Sequence, residues 1–379
     1  MFRATRAEID LDAIGQNLAW IRGVAPGCAL YAMVKANAYG HGLVEVARAA
    51  AVAKVDGFGV ALVEEGIVLR DAGIELPVVV LNGLYGNGHR EVLERDLVPV
   101  VYREADLVAF EAAVRATGRS TPLGVHLKLD TGMSRLGCDE REFRKLVEGI
   151  ESSPGLRLAG VMTHLSAGED PAEDDFSMEQ IQRFGAMVDW VRSRGHAPWI
   201  HAANSGALVR LPPSRFDLLR AGLLVYGIDP SGKANADLRP AMRWVSSVAM
   251  VHELSPGDSV GYNRTFRAPR SMRVGTIPMG YGDGYLRSGS NRAKALVGGQ
   301  LCPVVGRISM DLLTVDLSSV PGAGVGDEAV LLGAQGGECI TAHDLGAWAG
   351  TSAYEVVTNL SARVRRVHRA TTTGEVDGG

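Results

Sequence analysis

The chain has 379 residues, of which 46% are apolar and 22% charged, and its formal net charge is −4. This much apolar surface excludes a globally disordered chain, because burying it offsets the entropy lost on folding. A net charge of −4 without a strongly basic cluster disfavours nucleic acid as a partner. No apolar run reaches the roughly 18 residues of a membrane helix, so no membrane association is expected.

The four cysteines lie far apart in the sequence and form no C-x-x-C pair. This spacing disfavours a disulfide framework and a zinc site, so we expect no metal. No apolar leader follows the first residues. These features together predict a cytoplasmic protein.

The first 232 residues alternate between short apolar runs and longer stretches with helical spacing. A helix is predicted at Asp12–Val24. Eight apolar runs then predict strands, in chain order at Ala29–Val34, Gly57–Ala61, Val78–Leu81, Val98–Tyr102, Gly124–Leu129, Leu158–Thr163, Ile200–Ala203 and Leu218–Ala221. Clear helical stretches between them are Leu43–Lys54, Ala105–Thr117, Glu140–Glu151 and Phe176–Arg194.

Strands that are apolar on both faces are typical of parallel sheets covered by helices. Eight strand–helix units in about 230 residues match a (β/α)8 barrel. We therefore predict an α/β protein whose residues 1–232 form a TIM-like barrel.

The pattern changes after residue 232, where alternating polar and apolar residues replace the apolar runs. Strands are predicted at Val245–His252, Arg273–Pro278, Lys294–Val297, Leu312–Leu317, Glu328–Leu332 and Arg363–Val367, with helices at Ala342–Trp348 and Ser352–Leu360. Residues 233–379 are therefore predicted to form a mostly antiparallel β domain.

Polar residues cluster where barrel strands end, at the face that carries active sites in this fold. Lys35 follows the first strand, and a buried lysine there is either paired or deprotonated, which makes its amine a good Schiff-base nucleophile. Taken alone, Lys35 could simply reach solvent, and His164 or His201 could be core histidines with satisfied hydrogen bonds. Strands five to eight also end in polar clusters, at Lys128–Arg135, Thr163–Leu165, His201–Ser205 and Arg220–Gly222. Four such clusters at one barrel end favour a functional site over a purely structural barrel.

The loops after the seventh and eighth strands commonly hold a phosphate in barrels. Here they carry Asn204-Ser205-Gly206 and Gly222-Leu223, which offer a hydroxyl and accessible backbone N–H groups. A Schiff-base lysine combined with a phosphate site is what pyridoxal 5'-phosphate (PLP) requires.

The segment Ala32-Met33-Val34-Lys35-Ala36-Asn37-Ala38-Tyr39-Gly40-His41-Gly42 closely resembles the PLP-lysine signature of the bacterial alanine racemase family. Further blocks resemble that family in order: Lys128–Arg135, Thr163-His164, His201–Ser205, Arg220–Gly222, Gly261-Tyr262, Gly280–Tyr285 and Gly306–Asp311. Two positions depart from it, since Leu286 replaces a frequent proline and Ser309 a cysteine found in some members. Neither position is expected to do chemistry.

The resemblance implies an enzyme that interconverts L- and D-alanine through a PLP external aldimine by a two-base mechanism, supplying D-alanine for peptidoglycan. The implied bases are Lys35, which also holds the cofactor, and Tyr262 of a second subunit. The resemblance further implies contacts to the cofactor from Tyr39, Arg135, His164, Asn204, Ser205, Arg220, Gly222 and Tyr354, contacts to substrate from Arg135 and Met310, and support from Lys128, His201, Tyr281 and Asp311. It implies a head-to-tail homodimer with shared sites.

Two other functions remain open at this stage. A barrel-type PLP amino-acid decarboxylase shares the lysine, but it needs no second base and typically places a carboxylate at the pyridine nitrogen. A broad-specificity amino-acid racemase shares both bases. A non-catalytic PLP carrier would leave residues 243–379 unexplained.

Overall fold

The structure is a computed structural model that describes residues 3–233, residues 235–370 and the backbone of the strand Gly374–Asp377. Its chain divides into two compact units. The barrel unit contains residues 14–38 and 43–238, and the β unit contains residues 1–13, 39–42 and 239–379.

Among the described residues, the barrel unit contains a sheet of eight parallel strands. The strands are Ala29–Met33, Gly57–Val60, Val78–Val80, Val98–Val101, Leu123–Lys128, Leu156–Met162, Trp199–His201 and Leu218–Ala221. We number them as barrel strands 1 to 8 in this order. Strand 1 pairs with strands 2 and 8, and the hydrogen bond from Arg220 N to Ala203 O (3.3 Å) joins the edges of strands 7 and 8.

The predicted TIM-like barrel is therefore confirmed, with every predicted strand within two residues of its observed bounds. Its helices are Leu43–Val52, Val63–Asp71, His89–Glu94, Glu104–Thr117, Glu140–Glu151, Asp174–Ser193 and Ser205–Arg210. The opening helix Leu11–Val24 begins in the β unit and continues into the barrel unit. Helix Glu140–Glu151 shows why such segments fold: Asp139 caps its first turn, and one face buries Phe143, Leu146, Val147 and Ile150.

The β unit is mostly antiparallel, as predicted. Its strands are Arg6–Asp10, Met242–Ser247, Met250–Leu254, Ser259–Val260, Phe266–Arg267, Met272–Ile277, Lys294–Val297, Gln300–Pro303, Leu313–Asp316, Glu328–Gln335, Glu338–Ile340, Arg365–Ala370 and Gly374–Asp377. Its two α-helices within the described residues are Ala342–Ala349 and Ala353–Thr358, in addition to the start of Leu11–Val24.

Two features of the β unit differ from the predictions. The single strand predicted at Val245–His252 is two strands in two different sheets, because the chain leaves the first sheet at Val248 and Ala249. The sequence prediction places residues 1–13 in the barrel domain, but Arg6–Asp10 pairs with Met242–Ser247 on one side and Arg365–Ala370 on the other. These backbone ladders place strand Arg6–Asp10 in the β unit.

None of the described helices combines the length and apolar content that crossing a bilayer requires.

Candidate functional site

Lys35 lies two residues after Met33, the last residue of barrel strand 1, and is partly buried. Burial lowers the pKa of its amine, because removal from water disfavours the charged form. The positive charges of Arg135 and Arg220 lower this pKa further, whereas the carboxylate of Glu65 raises it. The amine of Lys35 is therefore more nucleophilic at neutral pH than that of an ordinary surface lysine.

The backbone after Lys35 turns in the left-handed sense. Ala36, Asn37 and Ala38 have φ between 52° and 55°, and none of them is glycine. This conformation costs about 1–2 kcal/mol per residue for L-amino acids. It is held by hydrogen bonds from Ala38 N to Val34 O (2.8 Å) and from Leu43 N to Asn37 Oδ1 (2.8 Å).

Arg220, on barrel strand 8, is only 4% exposed. Its guanidinium donates to His201 Nδ1 (2.8 Å) and to the carbonyl oxygens of Thr163 (2.8 Å) and Ala202 (3.0 Å), and it lies 3.3 Å from His164 Nδ1. These partners are neutral, and no carboxylate accepts from it within the described part of the chain. Burial lowers the pKa of Arg220 to about 9, so it remains a cation at neutral pH.

A chain of hydrogen bonds continues behind Arg220. Because arginine only donates, His201 Nδ1 must accept, and the proton of that ring sits on Nε2. His201 Nε2 then donates to His126 Nδ1 at 2.9 Å. Burial, together with the charge of Arg220, lowers the pKa of His201 well below its usual value and that of His126 to about 3. Both rings are therefore neutral, each in one tautomer.

Lys128, the last residue of barrel strand 5, is buried. Burial lowers the pKa of its amine to about 8, and Arg220 and Arg135 act in the same direction. Since Arg135 and Lys35 both act on Lys128, these basic groups lie in one electrostatic environment. The barrel mouth is thus strongly electropositive.

The two segments predicted to bind phosphate lie side by side. The N–H of Gly222 donates to Ser205 Oγ at 2.8 Å, which joins the loops after strands 7 and 8. Asn204 caps helix Ser205–Arg210, with Oδ1 accepting from Ala207 N at 3.0 Å. The side-chain oxygen of Asn204 is therefore already engaged within the protein.

Six of the predicted site residues lie in the β unit: Tyr39, Tyr262, Tyr281, Met310, Asp311 and Tyr354. Among them, the rings of Tyr39 and Tyr354 are neighbours, with centroids 6.2 Å apart. Tyr262 follows Gly261, whose φ is +71°, and its side chain is 69% exposed. The predicted residues therefore divide between the two units, and within the β unit the ring contact joins only Tyr39 and Tyr354 of the six.

The loops that carry Tyr281 and Met310 are joined by backbone hydrogen bonds, from Tyr281 N to Ser309 O (3.1 Å) and from Gly282 N to Met310 O (2.8 Å). Arg363 extends this set, because it pairs with Asp311 (2.7 Å) and with the fully buried Asp283 (3.4 Å). Asp283 in turn accepts from Gly280 N, at the start of the same loop.

Sequence reasoning missed two residues of the barrel site, His126 and Glu65. His126 lies two residues before Lys128 on one strand, and residues two apart share a strand face. That spacing could have revealed it. Glu65 is the third residue of helix Val63–Asp71.

Comparison with known proteins gives consistent results. Sequence models of the alanine racemase N-terminal and C-terminal domains match residues 9–230 and 241–368. The alanine racemase of Sorangium cellulosum is 41% identical, covering 97% of this chain and 99% of that protein, and that of Geobacter sulfurreducens is 40% identical, covering 97% of each.

Solved structures agree with this relationship. The alanine racemase of Streptomyces lavendulae superposes with a TM-score of 0.91 at 36% identity, over 98% of both chains. That of Bacillus anthracis, solved with bound L-Ala-P, gives a TM-score of 0.91 at 31% identity, over 100% of this chain and 98% of that one. The chain therefore belongs to the alanine racemase family.

Proposed function

We propose that this protein interconverts L-alanine and D-alanine with PLP as its cofactor, and that it thereby supplies D-alanine for peptidoglycan. The observation that carries the proposal is the presence of two features in one site. Lys35 is a lysine of lowered pKa, and Arg220 is a buried cation whose hydrogen-bond partners among the described residues are all neutral. The names of the relatives support the same activity.

The residues of the barrel mouth fit PLP. A buried cation without a counter-charge is costly, so an anionic ligand beside Arg220, Lys128 and Arg135 relieves that cost. Lys35 supplies the nucleophilic amine. Ser205 supplies a hydroxyl for the phosphate, oriented by the N–H of Gly222 that donates to it. Asn204, Tyr39 and Tyr354 are the further residues proposed to hold the phosphate.

Bound PLP supplies an electron sink for the bond from Cα to hydrogen. The protein must then remove a proton from one face of Cα and return one to the other face, which two bases on opposite faces accomplish. Lys35 serves one face, and Tyr262 of a second subunit serves the other. Arg135 and the backbone N–H of Met310 from the second subunit hold the substrate carboxylate, while Tyr281 lines the access path.

Arg220 has a distinct role at the ring nitrogen of the cofactor. A guanidinium donates hydrogen bonds and cannot accept the ring proton, so it disfavours a positively charged ring. With PLP bound, Arg220 would therefore disfavour side reactions such as transamination. His164 would contact the cofactor ring, and His201 orients Arg220.

The arginine also argues against the decarboxylase, which typically places a carboxylate at this nitrogen. A racemase of broader substrate range shares the same bases, and turnover of other amino acids separates it from the proposed enzyme.

We further propose that the active form is a head-to-tail homodimer with shared sites. We also propose that residues 1–232, apart from the strand Arg6–Asp10, form the cofactor-binding domain and that this strand and residues 233–379 form the second domain. Tyr262 and Met310 expose 69% and 52% of their surfaces, which leaves both accessible to a second subunit. A cytoplasmic location is supported by the cysteines, which are free in the described part of the chain.

The proposal is tested by measuring D-alanine formed from L-alanine by the purified protein and by its Lys35→Ala variant. Wild-type protein should show the visible absorbance of bound PLP, and borohydride should fix the cofactor covalently to Lys35. The variant should lose both the fixed cofactor and racemisation. Full turnover in the variant would contradict the assignment of Lys35.

A further inference from the structure

Glu65 joins the ends of two neighbouring barrel strands through one carboxylate. Its Oε1 accepts a hydrogen bond from Ala36 N at 2.5 Å, directly after Lys35. Its Oε2 accepts from Ala61 N at 2.8 Å and from Leu62 N at 3.2 Å, beyond the end of strand 2. Charged acceptors make the stronger hydrogen bonds, so these contacts fix the backbone on both sides.

The backbone that Glu65 holds is the start of the left-handed turn. The later part of that turn is held by Ala38 N on Val34 O and by Asn37 Oδ1, and neither bond reaches Ala36 N. Strained backbone persists only when surrounding contacts determine it. The Glu65 contact therefore supplies the restraint at the residue next to Lys35.

Glu65 also differs in charge from the other groups that act on Lys35. Arg135 and Arg220 both disfavour a proton on the amine, whereas Glu65 favours it. Glu65 thus counters two cations while it holds the adjacent peptide.

We propose that Glu65 is a positioning residue for Lys35: its carboxylate fixes the left-handed turn that aims the lysine and supplies the negative charge that balances its cationic surroundings. This inference rests on the proposed role of Lys35 in holding the cofactor. Glu65 acts through Lys35 and the turn, not on substrate.

The test compares Glu65→Gln with Glu64→Gln in the holoenzyme. Glu64 is the exposed neighbour on the same helix, so its variant removes an equal charge. In Glu65→Gln the amide NH2 faces backbone N–H donors, and amide hydrogen exchange at Ala36 and Ala61 should accelerate by about tenfold, as expected for loss of a charge-assisted bond. The pH midpoint of the visible absorbance of the lysine-bound cofactor should shift downward, because the lysine nitrogen loses a nearby negative charge.

Glu65→Asp separates reach from charge. It keeps the carboxylate but is one methylene shorter, so it cannot span both strand ends. Exchange should accelerate while the pH midpoint stays near that of the wild type. This variant also serves if Glu65→Gln fails to fold, as judged by circular dichroism.

The inference is overturned if either exchange or the pH midpoint in Glu65→Gln matches that of Glu64→Gln. Failure of the proposed function is distinguishable, because wild-type protein would then lack a lysine-bound visible band. Amide exchange at Ala36 still decides whether Glu65 holds the turn.

Discussion

At the scale of single residues, the site depends on hydrogen-bond direction. Arg220 fixes the tautomer of His201, which in turn requires an acceptor at His126. His126 contributes no group to chemistry, yet it ends a chain of donors and acceptors that leads to the guanidinium. The orientation of the His126 ring is therefore fixed by hydrogen bonding, as is that of the predicted site residue His201.

Replacing His126 with Phe should lower the free energy of unfolding by about 1–3 kcal/mol, because a buried His201 N–H loses its acceptor. It should also lower kcat, since Arg220 loses a fixed partner. Urea unfolding and steady-state kinetics measure the two effects. His126→Asn is the matched control, because its amide oxygen can replace Nδ1. Equal losses in both variants would show that the acceptor does not matter.

Lys128 gives a pH-dependent prediction. Its pKa of about 8 in the folded protein lies below the ordinary lysine value of 10.5, so between these pH values the unfolded chain binds more protons. The free energy of unfolding should therefore rise with pH across this window, by at most about 3 kcal/mol from this group.

Unfolding of wild type and Lys128→Met at several pH values across this window measures the effect. The variant should lack the rise and be the more stable protein at pH 7. An identical pH dependence in both proteins would contradict a free, buried amine. A carbamate on Lys128 would also abolish the rise, and native mass spectrometry detects the added carbon dioxide.

At the scale of elements, the left-handed turn after Lys35 is unusual because it is built from residues with side chains. Ala36 is exposed and has φ 52°, so its Cβ adds strain without burying surface. The conformation is maintained by neighbouring contacts against local preference, which is common at functional sites.

Ala36→Gly should therefore stabilise the protein by about 0.5–1 kcal/mol, because glycine adopts this region without strain. Ala112→Gly is the matched control, since Ala112 is exposed within helix Glu104–Thr117, where glycine costs about 1 kcal/mol. Thermal unfolding of both variants should show shifts of opposite sign. Destabilisation by both would contradict the assigned turn conformation.

The barrel strands could be predicted because each is a compact apolar run with a clear end. The break between Met242–Ser247 and Met250–Leu254 could not, because alternation continues through Val248 and Ala249 while the chain changes sheets. Strand Arg6–Asp10 carries three charged residues in five and shows no apolar run. Its place depends on ladders to segments more than 200 residues away.

At the scale of the whole molecule, the predicted site residues divide between the two units. Those at the barrel strand ends could be grouped from sequence, because parallel strands end at one face. Tyr262, Tyr281 and Met310 could be identified only by family resemblance, since their loops have no periodic pattern. Glu65 was missed because its contacts depend on tertiary structure.

Sharing of sites between subunits predicts complementation. Lys35→Ala and Tyr262→Phe should each be nearly inactive, and a mixed dimer should recover one intact site with the bases in separate chains. Activity after mixing under conditions of confirmed subunit exchange measures this. Mixing either variant with itself is the control. Absence of recovery would contradict sharing across a dimer.

Strand Arg6–Asp10 has a consequence for biosynthesis. It lies between Met242–Ser247 and Arg365–Ala370, with an antiparallel ladder to the first and a parallel ladder to the second. One partner emerges from the ribosome more than 200 residues after it, and the other later still. All the strands of the barrel sheet are synthesised between Arg6–Asp10 and either partner. Strand Arg6–Asp10 therefore remains unpaired while the barrel strands are made, and until then its exposed edges depend on charged side chains to prevent pairing with other chains.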